Sequence, residues 1–259
     1  MEERSSWQIQ KAVVISLFLR EMKTRFGSQK WGYLWAILEP AAFIGIFWLL
    51  FGFHARKALP GIDYPIFIMV GIIPWLLFNN IVTRSMTAFE ANRGLFSYRQ
   101  VKPIDTILAR VLVECSIYFM VFLCFMLLGR AFEFNVSISN IPGVGLIVGE
   151  LILFSFGVGL FSAVVSHFTE NYQKVIRLMF RPLYFASGMF FSVETVSEKF
   201  RWMLLLNPVI HFIELIRSFY FNTFNTKHAS EIYILFWTTG FLFVGLFLYT
   251  RLQNRIIAS

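Results

Sequence analysis

Leu34–Phe53 reads LWAILEPAAFIGIFWLLFGF, twenty residues with a single charge, Glu39, followed by Pro40. A helix rises about 1.5 Å per residue, so roughly twenty apolar residues cross the hydrocarbon core of a bilayer. This stretch therefore predicts a membrane span, and others follow it. Tyr64–Thr83 and Ile232–Thr250 carry no charge, Val111–Gly129 carries only Glu114, and Val144–Ser166 only Glu150. Val175–Val193 qualifies if Arg177 and Arg181 snorkel to one interface. Trp202–Ile213 is too short to span and is interrupted by Asn207-Pro208, so it reads as re-entrant or interfacial.

Composition supports six spans. Hydrophobic residues make up 57% of the 259 and charged residues 15%, with 32 Phe. Mean hydropathy is +0.65. A soluble fold this apolar has too little polar surface to cover itself, and disorder or a disulfide scaffold is excluded. Cys115 and Cys124 are nine residues apart on one apolar segment, about 13 Å along a helix and too far to bridge. The net charge of +8 belongs to loops between apolar runs and does not imply nucleic acid.

Six spans place sixteen Lys and Arg on the side of the termini and seven on the other. The positive-inside rule then makes both termini cytoplasmic. The expected architecture is an all-α polytopic membrane protein. Residues 1–31 form an N-terminal interfacial amphipathic helix and 32–254 the transmembrane domain. Within that domain, 84–110 is a cytoplasmic loop and 194–231 a periplasmic re-entrant region. Residues 251–259 are a cytoplasmic tail. In the first segment Ile15, Leu19, Met22 and Phe26 share a helical face, with Lys11, Arg20 and Lys23 largely away from it. Anchoring and gating both fit such a helix. A cleaved signal peptide does not, because Glu2 and Glu3 spoil its positive region.

Catalytic chemistry is hard to find. No Gly-Lys dipeptide occurs, so no P-loop holds a nucleotide. Asp63 and Asp105 are the only aspartates and fall on opposite sides of the membrane. The four histidines are scattered, no metal cluster is expected, and no G-x-S-x-G occurs. Glu39 is the most deeply placed acid, loosened by Pro40, while Glu114 and Glu150 lie near span ends. On the cytoplasmic loop, EANRGLFSYRQVKP (Glu90–Pro103) mixes charges with Leu95, Phe96, Tyr98 and Val101. That mixture suits docking to a partner; folding back onto the membrane interface is the alternative.

Four stretches carry a resemblance: FLREMKTRFG (Phe18–Gly27), GYLWAILEP (Gly32–Pro40), GLFSYRQVKPIDTILAR (Gly94–Arg110) and NPVIHFIELIR (Asn207–Arg217). The chain resembles the membrane subunit of type-2 ABC exporters, in particular capsular-polysaccharide export permeases. The resemblance implies a homodimer with two copies of a separate P-loop ATPase that binds ATP and Mg, this chain binding no cofactor itself. It implies a lipid-linked acidic polysaccharide as cargo, with periplasmic adaptor and outer-membrane export proteins as further partners.

Glu90, Arg93, Gly94, Leu95, Phe96, Tyr98, Arg99, Lys102 and Pro103 would then form the coupling element, with His167, Glu170 and Lys174 as a second contact. Arg20, Lys23 and Arg25 would line the substrate entrance, and Pro208, His211 and Arg217 the periplasmic element. External Lys199, Arg201 and Arg217 would guide an anionic polymer or pair with Glu194, Glu198 and Glu214. Aromatic richness in the first and fifth spans marks Trp35, Trp48, Phe51, Tyr184 and Phe190, with Glu39, as canal candidates; ordinary lipid-facing aromatics are the competing reading. O-antigen or teichoic-acid export, or a scaffold or enzyme of envelope synthesis, are the alternative functions.

Overall fold

The computed structural model describes residues 5–26, 32–47, 49, 57–59 and 61–258. Helices dominate: α1 (Ser6–Phe26), α2 (Gly32–Phe47), α3 (Tyr64–Ser85), α4 (Ala88–Ala91), α5 (Pro103–Ala131), α6 (Ile141–Phe168), α7 (Tyr172–Ala186), α8 (Glu198–Leu205), α9 (Pro208–Tyr220) and α10 (Glu231–Ala258). A two-stranded antiparallel ladder, β1 (Lys57–Leu59) with β2 (Ile62–Asp63), turns at Gly61 ahead of α3. Proline in the first turn opens α3, α5, α6 and α9, where its missing N–H is one that a helix start leaves unbonded anyway.

Among the described residues, α3, α5, α6 and α10 are long and apolar enough to cross a membrane. The pair α8–α9, bent by 103°, adds a fifth if it counts as one broken span. The expected re-entrant stretch Trp202–Ile213 falls across that bend. The expected fifth span is cut short. Helix α7 stops at Ala186 rather than Val193, because Pro182 sits in its last turns and Gly188 turns the chain at φ +71°. The expected first span extends beyond the described part of α2. The cytoplasmic loop narrows to residues 86–102, since α3 and α5 reach further than hydropathy alone indicated. Residues 251–258 continue α10 as helix, with Ile256 buried, instead of forming a tail.

Helix α3 is the centre. Its apolar window is 83% buried against 22% for that of α10, and it is apolar all round, as a core helix must be. It packs against α6, α5 and α9. Helices α6 and α10 cross so closely that a Cβ at Gly157 would stand 2.8 Å from the Leu242 backbone nitrogen. A Cβ at Gly245 would stand 2.9 Å from the Gly157 carbonyl oxygen. Small residues at such crossings let two backbones meet.

Arg217 fastens the short elements to this centre. Its guanidinium is fully buried and donates to the carbonyls of Gly188 (2.6 Å), Met189 (2.6 Å), Phe191 (3.1 Å) and Phe67 (3.3 Å). It also lies 3.4 Å from Glu214 and 3.7 Å from the centre of the Phe67 ring. Of the two expected roles for Arg217, guiding a polymer is therefore overturned and pairing with Glu214 stands. A guanidinium buried to this extent and enclosed by four carbonyls is out of a polymer's reach. A Cβ at Gly71 would fall 2.5 Å from Arg217 Nη2, so the glycine makes room for it.

Arg201 is likewise turned inward, onto the carbonyls of Val193 (3.2 Å) and Val196 (2.8 Å), whereas Lys199 is exposed. His211 is buried. Its Nδ1 accepts from the Ser230 amide (3.1 Å), which leaves Nε2 to donate to the Leu205 carbonyl (2.9 Å). The expected periplasmic trio Pro208, His211 and Arg217 thus builds and anchors α9. Outside the helices, Glu194 accepts from the Lys227 amide (2.8 Å) and bonds His228 Nδ1 (2.9 Å). Partial burial pushes the Glu194 carboxyl up, but those bonds and the Arg201 charge outweigh it and hold the group below its ordinary value.

Two outcomes are expected. Gly157→Val should lower the melting temperature of the detergent-solubilised protein by several degrees, the result of roughly 1–3 kcal/mol of overpacking, with Gly149→Val, where an added Cβ meets nothing within 4 Å, as control. A depressed carboxyl contributes stability above its unfolded value and loses it as pH falls through the folded one. Proteolysis of the 221–230 segment should therefore rise only below about pH 4, and Glu194→Gln should remove that pH dependence.

Candidate functional site

The end of the molecule where α3 meets α5 holds the polar machinery. The chain leaves α3 at Ser85, makes the one-turn α4 and a 3₁₀ turn at Arg93–Leu95, and enters α5 at Pro103. Asp105 accepts from the Lys102 amide (2.9 Å), which caps α5. Phe89, Phe96 and Pro103 face inward, and Asn92 is buried with its side chain donating to the Ala88 carbonyl (2.8 Å). Glu90, Arg93, Gly94, Tyr98, Arg99 and Lys102 are exposed, and Leu95 is half-buried. The expected coupling element therefore divides in two. Phe96 and Pro103 hold the loop in place, and the charged residues with Tyr98 form its outer surface.

The second expected contact joins that surface. His167, at the end of α6, lies 6.1 Å from Phe89 ring to ring and within electrostatic reach of Glu90 and Arg93. Ser166 Oγ donates to the Met86 carbonyl (2.6 Å), locking the end of α6 to the start of the loop. Glu170 and Lys174 are exposed beside it. Residues about eighty positions apart in sequence thus share one face.

Helix α1 binds this end through its polar side. Gln10 bonds Asp105, Arg20 bonds Asn92, Glu21 pairs with Arg110 at 3.0 Å, and Arg25 pairs with Glu114. Arg84 reaches Glu114 at 2.9 Å from the end of α3. Arg110 also bonds the Arg84 carbonyl and Thr87 Oγ1 (2.9 Å) at the base of the loop. On the apolar face that the sequence marks, Ile15 and Leu19 are exposed and Met22 is half-buried, while Leu17 is buried. A helix lying at a bilayer surface can give its apolar face to lipid and its charges to protein, which is the arrangement found here.

The substrate-entrance trio splits accordingly. Arg20 and Arg25 are engaged in these bonds, and Lys23 is exposed. Glu39, expected to be the key intramembrane acid, is exposed, and of the three glutamates in the expected spans Glu114 is the buried one. A signal for it exists in the sequence. Glu21 and Arg25 stand one turn apart, as do Arg110 and Glu114 with the signs reversed, so two facing helices neutralise each other twice.

Beside this cluster a cleft of about 710 Å³ opens between α2, α3 and α7. Its aromatic wall joins Tyr184 to Phe43 (5.7 Å), Trp75 (5.9 Å) and Phe190 (5.5 Å), centroid to centroid. Two of the aromatic canal candidates, Tyr184 and Phe190, thus meet each other, and Tyr184 meets the first expected span through Phe43. Trp35 lies on α2 with its side chain outside the described residues, as are Trp48 and Phe51 entirely. Asn79, Asn80, Thr83 and Arg84 line the other wall. Sequence reading passed over them because Asn and Thr count as mildly polar members of an apolar run.

These features define a class: a multi-pass helical membrane protein with a polar, ion-paired end and a laterally open cleft. The chain belongs to the ABC-2 type transporter family, whose profile matches residues 12–221. It is 40% identical to the Polysialic acid transport protein KpsM of Escherichia coli, with 99% of both chains covered. It is 28% identical to the O-antigen export system permease protein RfbA of Klebsiella pneumoniae over 91% of this chain and 90% of that one. Identity is 26% to the Capsule polysaccharide export inner-membrane protein CtrC of Neisseria meningitidis serogroup A, over 96% and 94%.

Removing one member of a buried ion pair strands its partners at a cost of about 3–5 kcal/mol. Glu114→Ala should accordingly destabilise the protein in thermal unfolding and expose α1 to trypsin at Arg20–Arg25. Glu39→Ala should leave both unchanged.

Proposed function

We propose that this chain is the transmembrane subunit of an ATP-driven exporter that carries lipid-linked capsular polysaccharide across the bacterial inner membrane. It works as a homodimer with two copies of a separate P-loop ATPase, which binds the ATP and Mg. What carries this reading is the rigid, exposed coupling end formed by residues 86–102 with His167, in a chain related over its full length to a protein named for polysialic acid transport. Identity to the O-antigen permease is lower, 28% against 40%, which favours capsule over O-antigen as the cargo.

In this reading the chain has six spans, with α2 the first and α7 the fifth, and both termini are cytoplasmic. The broken pair α8–α9 is the periplasmic re-entrant element, facing the adaptor and outer-membrane export proteins. ATP binding draws the two ATPases together and moves the coupling loops with them. Arg110 and Glu114 on α5 pass that motion to α1 and α3, because each bonds a residue on both, and Arg20 ties α1 to the loop at Asn92. The movement widens the α2–α7 side of the cleft, where the aromatic rings offer sugar faces a surface without a fixed register. ATP hydrolysis resets it.

Copurification in mild detergent should recover one P-loop ATPase per permease, with vanadate-sensitive ATP turnover. Arg93→Glu combined with Arg99→Glu should abolish export and ATPase recovery while membrane insertion stays normal. Wild-type docking and export by that variant would sink the coupling assignment.

A further inference from the structure

The cleft is not uniformly aromatic. Along α3 its lining runs from Trp75 through Asn79, Asn80 and Thr83 to Arg84. Along α7 it runs in the opposite direction, from Arg177 through Phe180 and Arg181 to Tyr184. Trp75 contacts both Phe180 and Tyr184 (6.1 and 5.9 Å). The aromatic ends of the two walls therefore coincide, and so do the arginine ends. The cationic mouth adjoins the coupling loop, since Thr87 also lines the cleft.

Arg177 and Arg181 are one turn apart, exposed, and without an ion pair or hydrogen bond among the described residues. Among the described residues, no lining residue is acidic. Glu114 at the edge is already matched by Arg25 and Arg84, and Glu39 lies near Tyr184 at the aromatic end. In the exporter reading α7 is the fifth span, and Arg181 stands about 13 Å along it from its start. A charge placed there by default marks a ligand path. At the far end the Tyr184 hydroxyl is buried without a partner among the described residues.

We infer that Arg177 and Arg181, facing Asn79, Asn80 and Thr83, hold the phosphate of a lipid-anchored headgroup at the cytoplasmic mouth of the cleft. The inference rests on the exporter reading and names the part of the cargo the cleft receives first. Guanidinium forks match phosphate oxygens two at a time. Acidic sugars repeated along a polymer would call for cations along the whole path. A cationic mouth followed by an aromatic wall instead suits one anion at the end of the glycan, with sugar rings following.

The test uses the full chain in phosphatidylcholine nanodiscs, titrated with dodecyl phosphate, dodecanoate and dodecyl maltoside. Wild type should bind dodecyl phosphate at least tenfold more tightly than Arg177→Gln/Arg181→Gln, and more tightly than dodecanoate, with the maltoside indifferent to the substitutions. Equal phosphate binding by the double variant, or equal affinity for dodecanoate, overturns the assignment. In cells the double variant should export at least tenfold less polymer and accumulate it inside, with ATPase recovery and basal ATP turnover unchanged. The Arg177→Lys/Arg181→Lys variant should recover part of the export. Lost binding with unchanged export would assign the site to bulk phospholipid and also overturn it. Because the titration needs neither ATPase nor polymer, it decides the site even if the wild-type chain recovers no ATPase and the exporter reading fails.

Discussion

A guanidinium in a water-free interior has to find its oxygens inside the protein, and Arg217 finds them in three separate elements. The turn after α7 supplies the carbonyls of Gly188, Met189 and Phe191, α3 supplies that of Phe67, and α9 supplies Glu214. Helices α7 and α9 are too short to be held by hydrophobic contact along a full membrane span. Arg217, in the space Gly71 leaves for it, adds a polar fastening to the apolar packing of α9 and the aromatic packing of α7 on α3. The aromatic wall follows, because Tyr184 and Phe190 stand on either side of the turn that Arg217 fixes.

The same rule operates at the opposite end with more partners. Glu114 is buried between Arg25 and Arg84, and Arg110 joins Glu21, the end of α3 and the base of the coupling loop. Ionic contacts of this kind have discrete geometries, unlike greasy helix faces that slide over one another. The membrane-facing residues need only to be apolar, which is why so many Phe and Leu side chains lie exposed on α5, α6 and α10.

Hydropathy made the helices at α3, α5, α6 and α10 legible, since a long apolar run has few other ways to fold in lipid. It also placed the break at Asn207-Pro208, where proline starts α9 and Asn207 caps it (3.0 Å). It erred where polar and apolar patterning carry different meanings in lipid. The Ile15–Leu19 face of α1, read as interfacial, is exposed, but the sequence did not show that its polar side is spent on α5 and the loop. Glu39 drew attention by its depth in a span, yet the charge with a structural role is Glu114, whose partners lie 89 positions away on α1 and at the end of α3.

From the sequence alone followed the membrane environment and the order of the four long apolar helices α3, α5, α6 and α10. Each rests on local composition, which lipid reads directly. Tertiary structure alone decided which charges are spent internally and which remain for a ligand. Arg217, Arg201, Arg110 and Arg25 look like Arg177 and Arg181 in sequence. Only the folding of distant carbonyls and carboxylates around the first four shows that the last two stand free at the mouth of the cleft.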